Sequence, residues 1–183
     1  MQKYNLEWLL KSLEKQENHS YLFFWAHQPN VNGIITEKCF SQWWTENPFV
    51  VDGIVYQTAE HWMMAKKALL FEDTEFFEKI IEAETSAIVQ KLGRQVRNFE
   101  LDVWQKHCSE IVAEGNFHKF SQHQPLKDFL LSTENKIIVE ASPYDKIWGI
   151  GMGVNRPEIY QPSLWKGTNL LGFALMEVRD KLR

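Results

Sequence analysis

The segment from Thr58 to Lys67 combines an acid and an amine at a spacing that a helix would bring to one side. Thr58 can cap the amino end of such a helix, and Glu60 then lies in the first turn, where the helix dipole favours negative charge. Lys67 follows almost two turns later, so it returns to the face of Glu60. A carboxylate and an amine on one face can perform acid–base or nucleophilic chemistry. An ordinary amphipathic helix with solvated ends fits the same spacing equally well.

A second candidate carboxylate, Asp145, follows Ser142 and Pro143 directly after an apolar run. Loops at the ends of strands often carry functional side chains, although the same residue can simply begin a surface turn. The alternating glycines from Gly149 to Gly153 can turn backbone N–H groups toward a phosphate or form a flexible lid. The pattern therefore makes Asp145 a candidate and leaves the glycine loop open between two roles.

Three further side chains suit a phosphorylated ligand that contains a base. Arg94 after Gly93 can make a bidentate contact with a phosphate, although a surface ion pair is the commoner arrangement. Trp104 can stack on a nucleobase, whereas the pattern alone favours packing in the core. Asn169 beside Thr168 can bind a ligand or take part in local helix capping. Each of the three has a structural alternative.

Composition favours one domain spanning residues 1–183, with residues 1–20 as an amino-terminal helical extension. The chain has 183 residues, 44% of them hydrophobic and 24% charged, which is enough to bury one core. Its net charge of −4 argues against a broad grip on nucleic acid phosphates, but not against a small basic pocket. Eight tryptophans are many for this length, and whether Trp25, Trp43 and Trp44 line a pocket or pack a sheet stays open.

The remaining residue types predict neither a metal nor a cofactor. Cys39 and Cys108 are too far apart in sequence to form a metal-binding pair, and reduced thiols are their simplest state. The six histidines include no His-x-x-x-His pattern. Neither a signal peptide's apolar run nor a membrane-spanning run is found, so we expect a soluble, cytoplasmic protein without a membrane partner.

Hydrophobic periodicity and turn residues predict the order of the secondary structure. Helices are expected at 4–16, from Thr58 onward, at 74–83, 86–97 and 100–121, from Pro125 to Leu131, and from a Thr168 cap to Leu182. Strands are expected at 21–26, 34–36, 49–51, 54–56 and 137–141, with turns at Pro29, Asn32-Gly33 and Asp52-Gly53. The region 142–167 is expected to be a loop. These elements predict an α+β fold in which a small, mainly antiparallel sheet packs among many helices.

Several short motifs follow one another in an order that is typical of one known family. They are Phe23-Phe24-Trp25, Phe40-Ser41-Gln42-Trp43-Trp44, Asp52-Gly53 running into Glu60-His61, Gly93-Arg94, Trp104, Asn116 with Lys119-Phe120, Leu130-Leu131-x-Thr133, Val139-Glu140-Ala141-Ser142-Pro143-x-Asp145-x-x-Trp148-Gly149, and Asn169-Leu170-Leu171-Gly172 with Leu175-Met176 and Arg179. In this order they resemble the NADAR superfamily of YbiA-like proteins, over about Phe23 to Leu182.

This resemblance implies a small sheet packed among many helices and an N-glycosidase activity. It implies one of two substrate classes. The first is the early phosphoribosylamino-pyrimidine intermediates of riboflavin biosynthesis, which are cleaved to ribose 5-phosphate and free base. The second is ADP-ribose attached to a nucleobase such as guanine. A non-catalytic sensor of ADP-ribose or another nucleotide is a third interpretation.

By motif match, the resemblance assigns site roles to Glu60, Lys67, Trp104 and Asp145. Glu60 is expected to act as an acid, a base or an electrostatic stabiliser near the sugar, and Asp145 to hold a ribose hydroxyl or protonate the leaving base. Lys67 is expected either to open the ribose as an imine or to pair with a phosphate or with Glu60. The substrate-binding residues are expected to be Trp104, Arg94, Trp148, Gly149 and Asn169.

Two departures from the family pattern concern the substrate more than the reaction. The aromatic loop contains Ser41-Gln42-Trp43 where many relatives have Ser-Asn-Phe, and Ile150 replaces an acidic residue after Gly149. We therefore expect an N-glycosidase that acts on a small phosphorylated N-riboside, with the riboflavin intermediates preferred. An ADP-ribosylated nucleic acid is the alternative partner, and the sequence predicts no oligomeric state.

Overall fold

Seven α-helices and four short strands make up the part of the chain that the computed structural model describes, residues 3–28 and 33–183. The helices are α1 (Leu6–Glu14), α2 (Ala59–Leu70), α3 (Thr74–Ile81), α4 (Ser86–Gly93), α5 (Leu101–Gln122), α6 (Gln124–Ser132) and α7 (Leu170–Leu182). The strands are β1 (Tyr21–Phe24), β2 (Phe49–Val51), β3 (Ile54–Tyr56) and β4 (Ile137–Glu140). The predicted α+β class is confirmed.

Helix α2 begins as its sequence predicts. The Thr58 Oγ1 atom accepts a hydrogen bond from the backbone N of His61 at 3.3 Å, which caps the amino end. Glu60 lies in the first turn of this helix and Lys67 in its last turn. The predicted helix that carries both residues is therefore confirmed.

The hairpin of β2 and β3 is also confirmed. Its strands are antiparallel, with Phe49 opposite Tyr56 and Val51 opposite Ile54. The turn residues Asp52 and Gly53 have φ angles of 51° and 80°. Two positive φ angles are what a tight two-residue hairpin turn requires, and an Asp-Gly pair adopts them easily.

The second strand pair is parallel, which the sequence did not predict. Strands β1 and β4 pair in parallel, with Tyr21 opposite Ile137 and Phe24 opposite Glu140. The expected antiparallel arrangement therefore holds for the hairpin alone. A parallel pair needs a long crossover, and here the whole helical region lies between the two strands.

Helix α4 ends at Gly93, earlier than the predicted 86–97, because its next turn is bound elsewhere. The backbone N of Arg97 donates to Asp73 Oδ2 at 2.8 Å. The Gly93 carbonyl instead accepts a hydrogen bond from Lys67 Nζ at 2.7 Å. Long-range partners thus replace the hydrogen bond that would have joined Arg97 to Gly93 and continued the helix.

Two other predictions of local structure are wrong. Residues 34–36 are not a strand, because β1 takes β4 as its only neighbour among the described strands and residues 37–40 form a 3₁₀ helix. Thr168 does not cap α7, because its Oγ1 donates to the Ile147 carbonyl at 2.6 Å. The residue before α7 is Asn169, with a φ of 56°. The turn predicted at Pro29 and Asn32 lies outside the described residues.

The core lies between the helices and the parallel strand pair. Helix α5 packs against α2 and α7, and α7 packs against β4. A Cβ added at Gly172 would lie 2.0 Å from the Ile138 carbonyl oxygen, so this glycine lets α7 approach β4 closely. Leu9 of α1 is fully buried in the same core. Within the described residues, no helix combines the length and the apolar character that crossing a membrane requires.

Candidate active site

Two adjoining cavities lie where the carboxyl end of β4 meets the amino end of α2. The inner chamber has a volume of about 340 Å³, and the outer chamber has a volume of about 530 Å³. Six residues line both chambers, namely Ser41, Trp43, Gln90, Arg94, Glu140 and Asp145. Glu60, Lys67 and Trp148 line the inner chamber alone, and Trp25 and Tyr144 line the outer one. The predicted carboxylates on α2 and in the loop after β4 therefore meet in one cavity.

Glu60 is the most deeply buried of the cavity's acids, with 3% of its surface exposed. Burial raises the pKa of its carboxyl group to about 8. A hydrogen bond from the Trp43 side chain lowers this pKa, the charge of Asp145 raises it further, and the charge of Arg94 lowers it. The group can therefore give or take a proton near neutral pH, as acid–base catalysis requires.

The loop that faces Glu60 is held in place by helix α5. Asn116 donates to Gln42 Oε1 at 2.8 Å, and the buried Lys119 ammonium donates to the carbonyls of Cys39 and Ser41 at 2.6 and 3.0 Å. The Gln42 carbonyl in turn accepts the Glu60 backbone N at 2.9 Å. These buried contacts link the aromatic loop to the start of α2, so they fix the position of the Glu60 side chain.

Lys67 is half-buried at the other end of the same helix face. Its ammonium donates to the Gly93 carbonyl at 2.7 Å and lies 4.1 Å from the ring centre of Phe99. The Trp104 ring centre lies 5.6 Å away, and Trp104 itself does not line the chamber. Burial lowers the pKa of Lys67, which increases the neutral, nucleophilic fraction of the amine.

Asp145 uses one carboxylate oxygen to shape its own loop. Its Oδ1 atom accepts the backbone N–H groups of Ile147, Trp148 and Gly149 at 2.8, 2.7 and 3.4 Å. The Asp145 carbonyl accepts the N–H of Gly151 at 2.8 Å. Two of the N–H groups that the glycine pattern offered to a phosphate, those of Gly149 and Gly151, therefore bind Asp145 instead.

Of the predicted binding residues, Arg94 and Trp148 line the inner chamber, whereas Gly149 and Asn169 do not. Asn169 is fully buried, and its amide donates to the Ile138 carbonyl and accepts the Glu140 N–H, both at 2.9 Å. Its side chain therefore holds strand β4, and the residue lines neither chamber. Ile150, at the departure from the family pattern, is also buried in the core.

The aromatic residues left open by the sequence take three different places. Trp43 lines both chambers, and the half-exposed Trp25 lines the outer one beside Tyr144. Trp44 is buried, and its indole donates to Asn47 Oδ1 at 2.8 Å. Only the first two can contact a ligand directly.

The sequence patterns did not single out Glu140 as a site residue. It is the last residue of β4, and it lines both chambers next to Asp145. Burial raises the pKa of its carboxyl group to about 8, and the charges of Asp145 and Glu60 add to this effect. The available signal was an acid directly after three apolar strand residues. A polar residue at the end of a buried strand lies next to the following loop, and such loops often carry functional side chains.

A larger cavity, of about 730 Å³, lies beyond α2 and is lined by Lys66, Leu69, His107 and Lys181. None of the predicted site residues lines it. The described residues contain no group of three or more His, Cys, Asp or Glu side chains arranged to hold a metal ion.

The fold and the cavity define an α+β protein with an acid-lined pocket, and comparison with known proteins gives its family. A family model described as the NADAR domain matches residues 23–183. The chain therefore belongs to the NADAR domain family.

Two relatives and one solved structure support the same assignment. N-glycosidase R617 of Acanthamoeba polyphaga mimivirus is 44% identical over 90% of this chain and 98% of its own length. N-glycosidase YbiA of Escherichia coli K12 is 29% identical, with 78% of each chain covered. The NMR structure of the E. coli protein YbiA matches with a TM-score of 0.70 at 26% identity, over 91% of this chain and 86% of that one.

Proposed function

We propose that this protein is an N-glycosidase that hydrolyses the bond between ribose and base in a phosphorylated N-riboside. The observation that carries the proposal is the meeting of Glu60, Glu140 and Asp145 around one small chamber that Lys67 and Arg94 also line. The names of the relatives support the reaction class, since both are N-glycosidases. The preferred substrates are the phosphoribosylamino-pyrimidine intermediates of riboflavin biosynthesis.

Cleavage of a ribosyl C–N bond builds positive charge on the anomeric carbon and negative charge on the departing base. A carboxylate beside the sugar stabilises the first charge, and a proton donor beside the base stabilises the second. Glu60 and Asp145 supply acidic groups on two different sides of the chamber wall, one from α2 and one from the loop after β4. Hydrolysis then consumes only water, so the proposal includes no cofactor.

The rest of the ligand is assigned by charge and shape. Arg94 lies at the edge of both chambers, where its guanidinium can bind the 5-phosphate. The rings of Trp43 and Trp148 line the inner chamber and can contact the flat base. Trp104 does not line the chamber, but its ring lies near the Lys67 ammonium. We therefore propose that Trp104 positions Lys67 and does not contact the ligand. We propose the cytoplasm as the site of action.

The position of Lys67 fits either of two roles in this chemistry. Its lowered pKa and its place on the chamber wall suit attack on the anomeric carbon and an imine intermediate. The same ammonium can instead bind a phosphate. Its hydrogen bond to the Gly93 carbonyl keeps it away from a direct ion pair with Glu60.

Base-linked ADP-ribose is the second candidate substrate, and the outer chamber favours it. That space of about 530 Å³ continues from the inner chamber past the exposed rings of Trp25 and Tyr144. It can receive a group larger than one ribose phosphate, and the exposed rings can stack on a second base. On this alternative the protein acts on ADP-ribosylated guanine in a nucleic acid.

A substrate panel tests the proposal. Purified protein is incubated with a phosphoribosylamino-pyrimidine, with guanine-linked ADP-ribose and with free ADP-ribose, and released base is quantified by chromatography. We expect release of free pyrimidine and ribose 5-phosphate. Release from the guanine adduct alone would favour the second candidate. Tight binding of ADP-ribose by calorimetry, without release from any substrate, would instead indicate a non-catalytic sensor.

A further inference from the structure

Glu140 carries a buried carboxyl oxygen that no side chain or backbone group binds. Three buried side-chain N or O atoms in the described residues lack a hydrogen-bond partner, namely Asn116 Oδ1, Glu140 Oε2 and Arg179 Nε. Of their three residues, only Glu140 lines either chamber of the candidate active site. Leaving a buried polar atom without a partner is costly, so such an atom beside a cavity indicates a ligand that completes it.

The backbone of Glu140 holds this carboxyl group in place. Its N–H donates to Asn169 Oδ1 at 2.9 Å, and its carbonyl accepts the N–H of Ile150 at 2.9 Å. The next residue, Ala141, donates to the Phe24 carbonyl at 2.8 Å, which fastens the end of β4 to β1. Glu140 therefore has a rigid backbone support, while its buried Oε2 atom has no hydrogen-bond partner.

The three acids of the inner chamber differ in what surrounds them. Asp145 Oδ1 already accepts three backbone N–H groups, so that oxygen is occupied. Glu60 receives a hydrogen bond from Trp43 and feels the charge of Arg94, and both contacts favour its ionised form. Each influence resolved on Glu140 acts in the opposite direction, since burial, Asp145 and Glu60 all raise its pKa.

When two neighbouring acids compete for one proton, the environment decides which of them holds it. Both groups have a pKa raised to about 8, but only Glu60 has partners that favour its anion. When the pair holds one proton, these partners therefore place it on Glu140 and leave Glu60 as the anion. A neutral carboxyl group beside the chamber is a proton donor, which the reaction needs at the departing base.

We propose that Glu140 is the general acid that protonates the leaving base, a role that rests on the proposed function. As the C1′–N bond breaks, its electron pair passes to the nitrogen, and the nitrogen takes the proton of the Glu140 carboxyl group. Water adds its oxygen to the anomeric carbon and loses one proton to Glu60. Proton transfer from Glu60 through solvent then restores Glu140, so the sum is hydrolysis without net proton uptake.

The acid role is the same whether water or Lys67 attacks the sugar first, because the nitrogen must leave as a neutral group in both cases. If Glu140 is the general acid, Asp145 does not need to donate a proton. Its second carboxylate oxygen can then bind a ribose hydroxyl. The charged groups that line the inner chamber with Glu140 are Glu60 and Lys67 of α2, Arg94 after α4, and Asp145. His27 lines the outer chamber on the other side.

The test compares two leaving groups in wild type and Glu140→Gln. One substrate is the phosphoribosylamino-pyrimidine, whose nitrogen needs a proton. The other is 4-nitrophenyl riboside 5-phosphate, whose phenolate leaves without one. We expect Glu140→Gln to lower kcat on the first by about 10²–10⁴-fold with little change in KM, and to lower it on the second by less than about fivefold. Glu60→Gln, the matched control, is expected to lower both.

If the nitrophenyl riboside is not hydrolysed, the pH dependence of kcat/KM on the pyrimidine riboside tests the acid role of Glu140 instead. The kcat/KM of wild type is expected to fall at high pH as Glu140 ionises, and the residual activity of Glu140→Gln is expected to lack that fall. Equal losses on both leaving groups, or a variant that keeps the high-pH fall, would overturn the acid role. Wild type that releases no base from either the pyrimidine riboside or guanine-linked ADP-ribose would overturn the proposed function itself. Thermal unfolding checks that the variant is folded.

Discussion

The two walls of the inner chamber place their acids by different means. Helix α2 presents Glu60 and Lys67 through its own periodicity, with Thr58 fixing where the helix begins. The wall after β4 presents Glu140 and Asp145 through strand pairing and a loop that folds around the Asp145 side chain. The first wall is local in sequence, whereas the second depends on contacts across the whole chain.

This difference shows that carboxyl side chains serve two purposes in the chamber, to shape a loop and to transfer a proton. Asp145 uses one oxygen as the acceptor that shapes its loop, so it is partly a structural residue. Glu60 and Glu140 have their acidity changed by burial instead, which suits proton transfer. Variants on the two walls should therefore separate effects on activity from effects on folding.

The largest effect is expected from Glu60→Gln on the helix wall. The amide keeps the size of the side chain but removes the ionisable group beside the sugar, so kcat should fall about 10³-fold while the ligand still binds. Base release and calorimetry measure the two quantities. Glu75→Gln is the matched control, because Glu75 lies in the first turn of α3 and is exposed. A Glu60→Gln protein with near-normal kcat would contradict its assigned role.

Variants of Asp145 on the loop wall should have a smaller effect on kcat, and only one of the two should also lower the unfolding temperature. Asp145→Asn keeps an oxygen that can accept the three N–H groups, so it should lose about 10²-fold in kcat with little change in unfolding temperature. Asp145→Ala removes the acceptor as well and should also lower that temperature. Calorimetric scans and base release measure both variants. If the two variants unfold at the same temperature, Asp145 does not shape the loop.

Lys67→Met should lower kcat about 10–100-fold, because it removes either the nucleophile or a phosphate partner. Lys66→Met is the neighbouring control, since Lys66 lines the cavity beyond α2. Borohydride added during turnover distinguishes the two roles by mass spectrometry. A ribose adduct on Lys67 supports the imine, and active enzyme that never forms one excludes it.

The smallest effect concerns stability against pH. The pKa values of Glu60 and Glu140 are raised from 4.5 to about 8 in the folded protein, so their stabilising contribution is complete below about pH 4.5 and is lost as the pH rises through 8. Wild type should therefore become less stable to unfolding as the pH rises across this range. Urea unfolding of Glu140→Gln should show a weaker dependence of stability on pH, and an unchanged dependence would argue against the raised pKa of Glu140.

The sequence predicted what depends on neighbouring residues. The Thr58 cap, the shared face of Glu60 and Lys67, and the Asp52-Gly53 turn follow from local geometry, and each is found in the structure. The order of the motifs also indicates the family whose model matches residues 23–183.

What the sequence could not predict depends on distant contacts. Helix α4 stops because Asp73 binds Arg97, and β1 pairs in parallel with a strand that lies beyond all the central helices. The buried, unpartnered oxygen of Glu140 appears only when β4, Asn169 and the Asp145 loop are assembled. No local pattern reports that such an oxygen will lack a partner.

A structure of Glu60→Gln with bound phosphoribosylamino-pyrimidine tests the central claim most directly. The account predicts that the sugar lies in the inner chamber, with its anomeric carbon between residue 60 and Asp145 and its base nitrogen beside Glu140. A ligand bound instead in the larger cavity beside Lys66 and Lys181, without contact to any of the three acids, would contradict it.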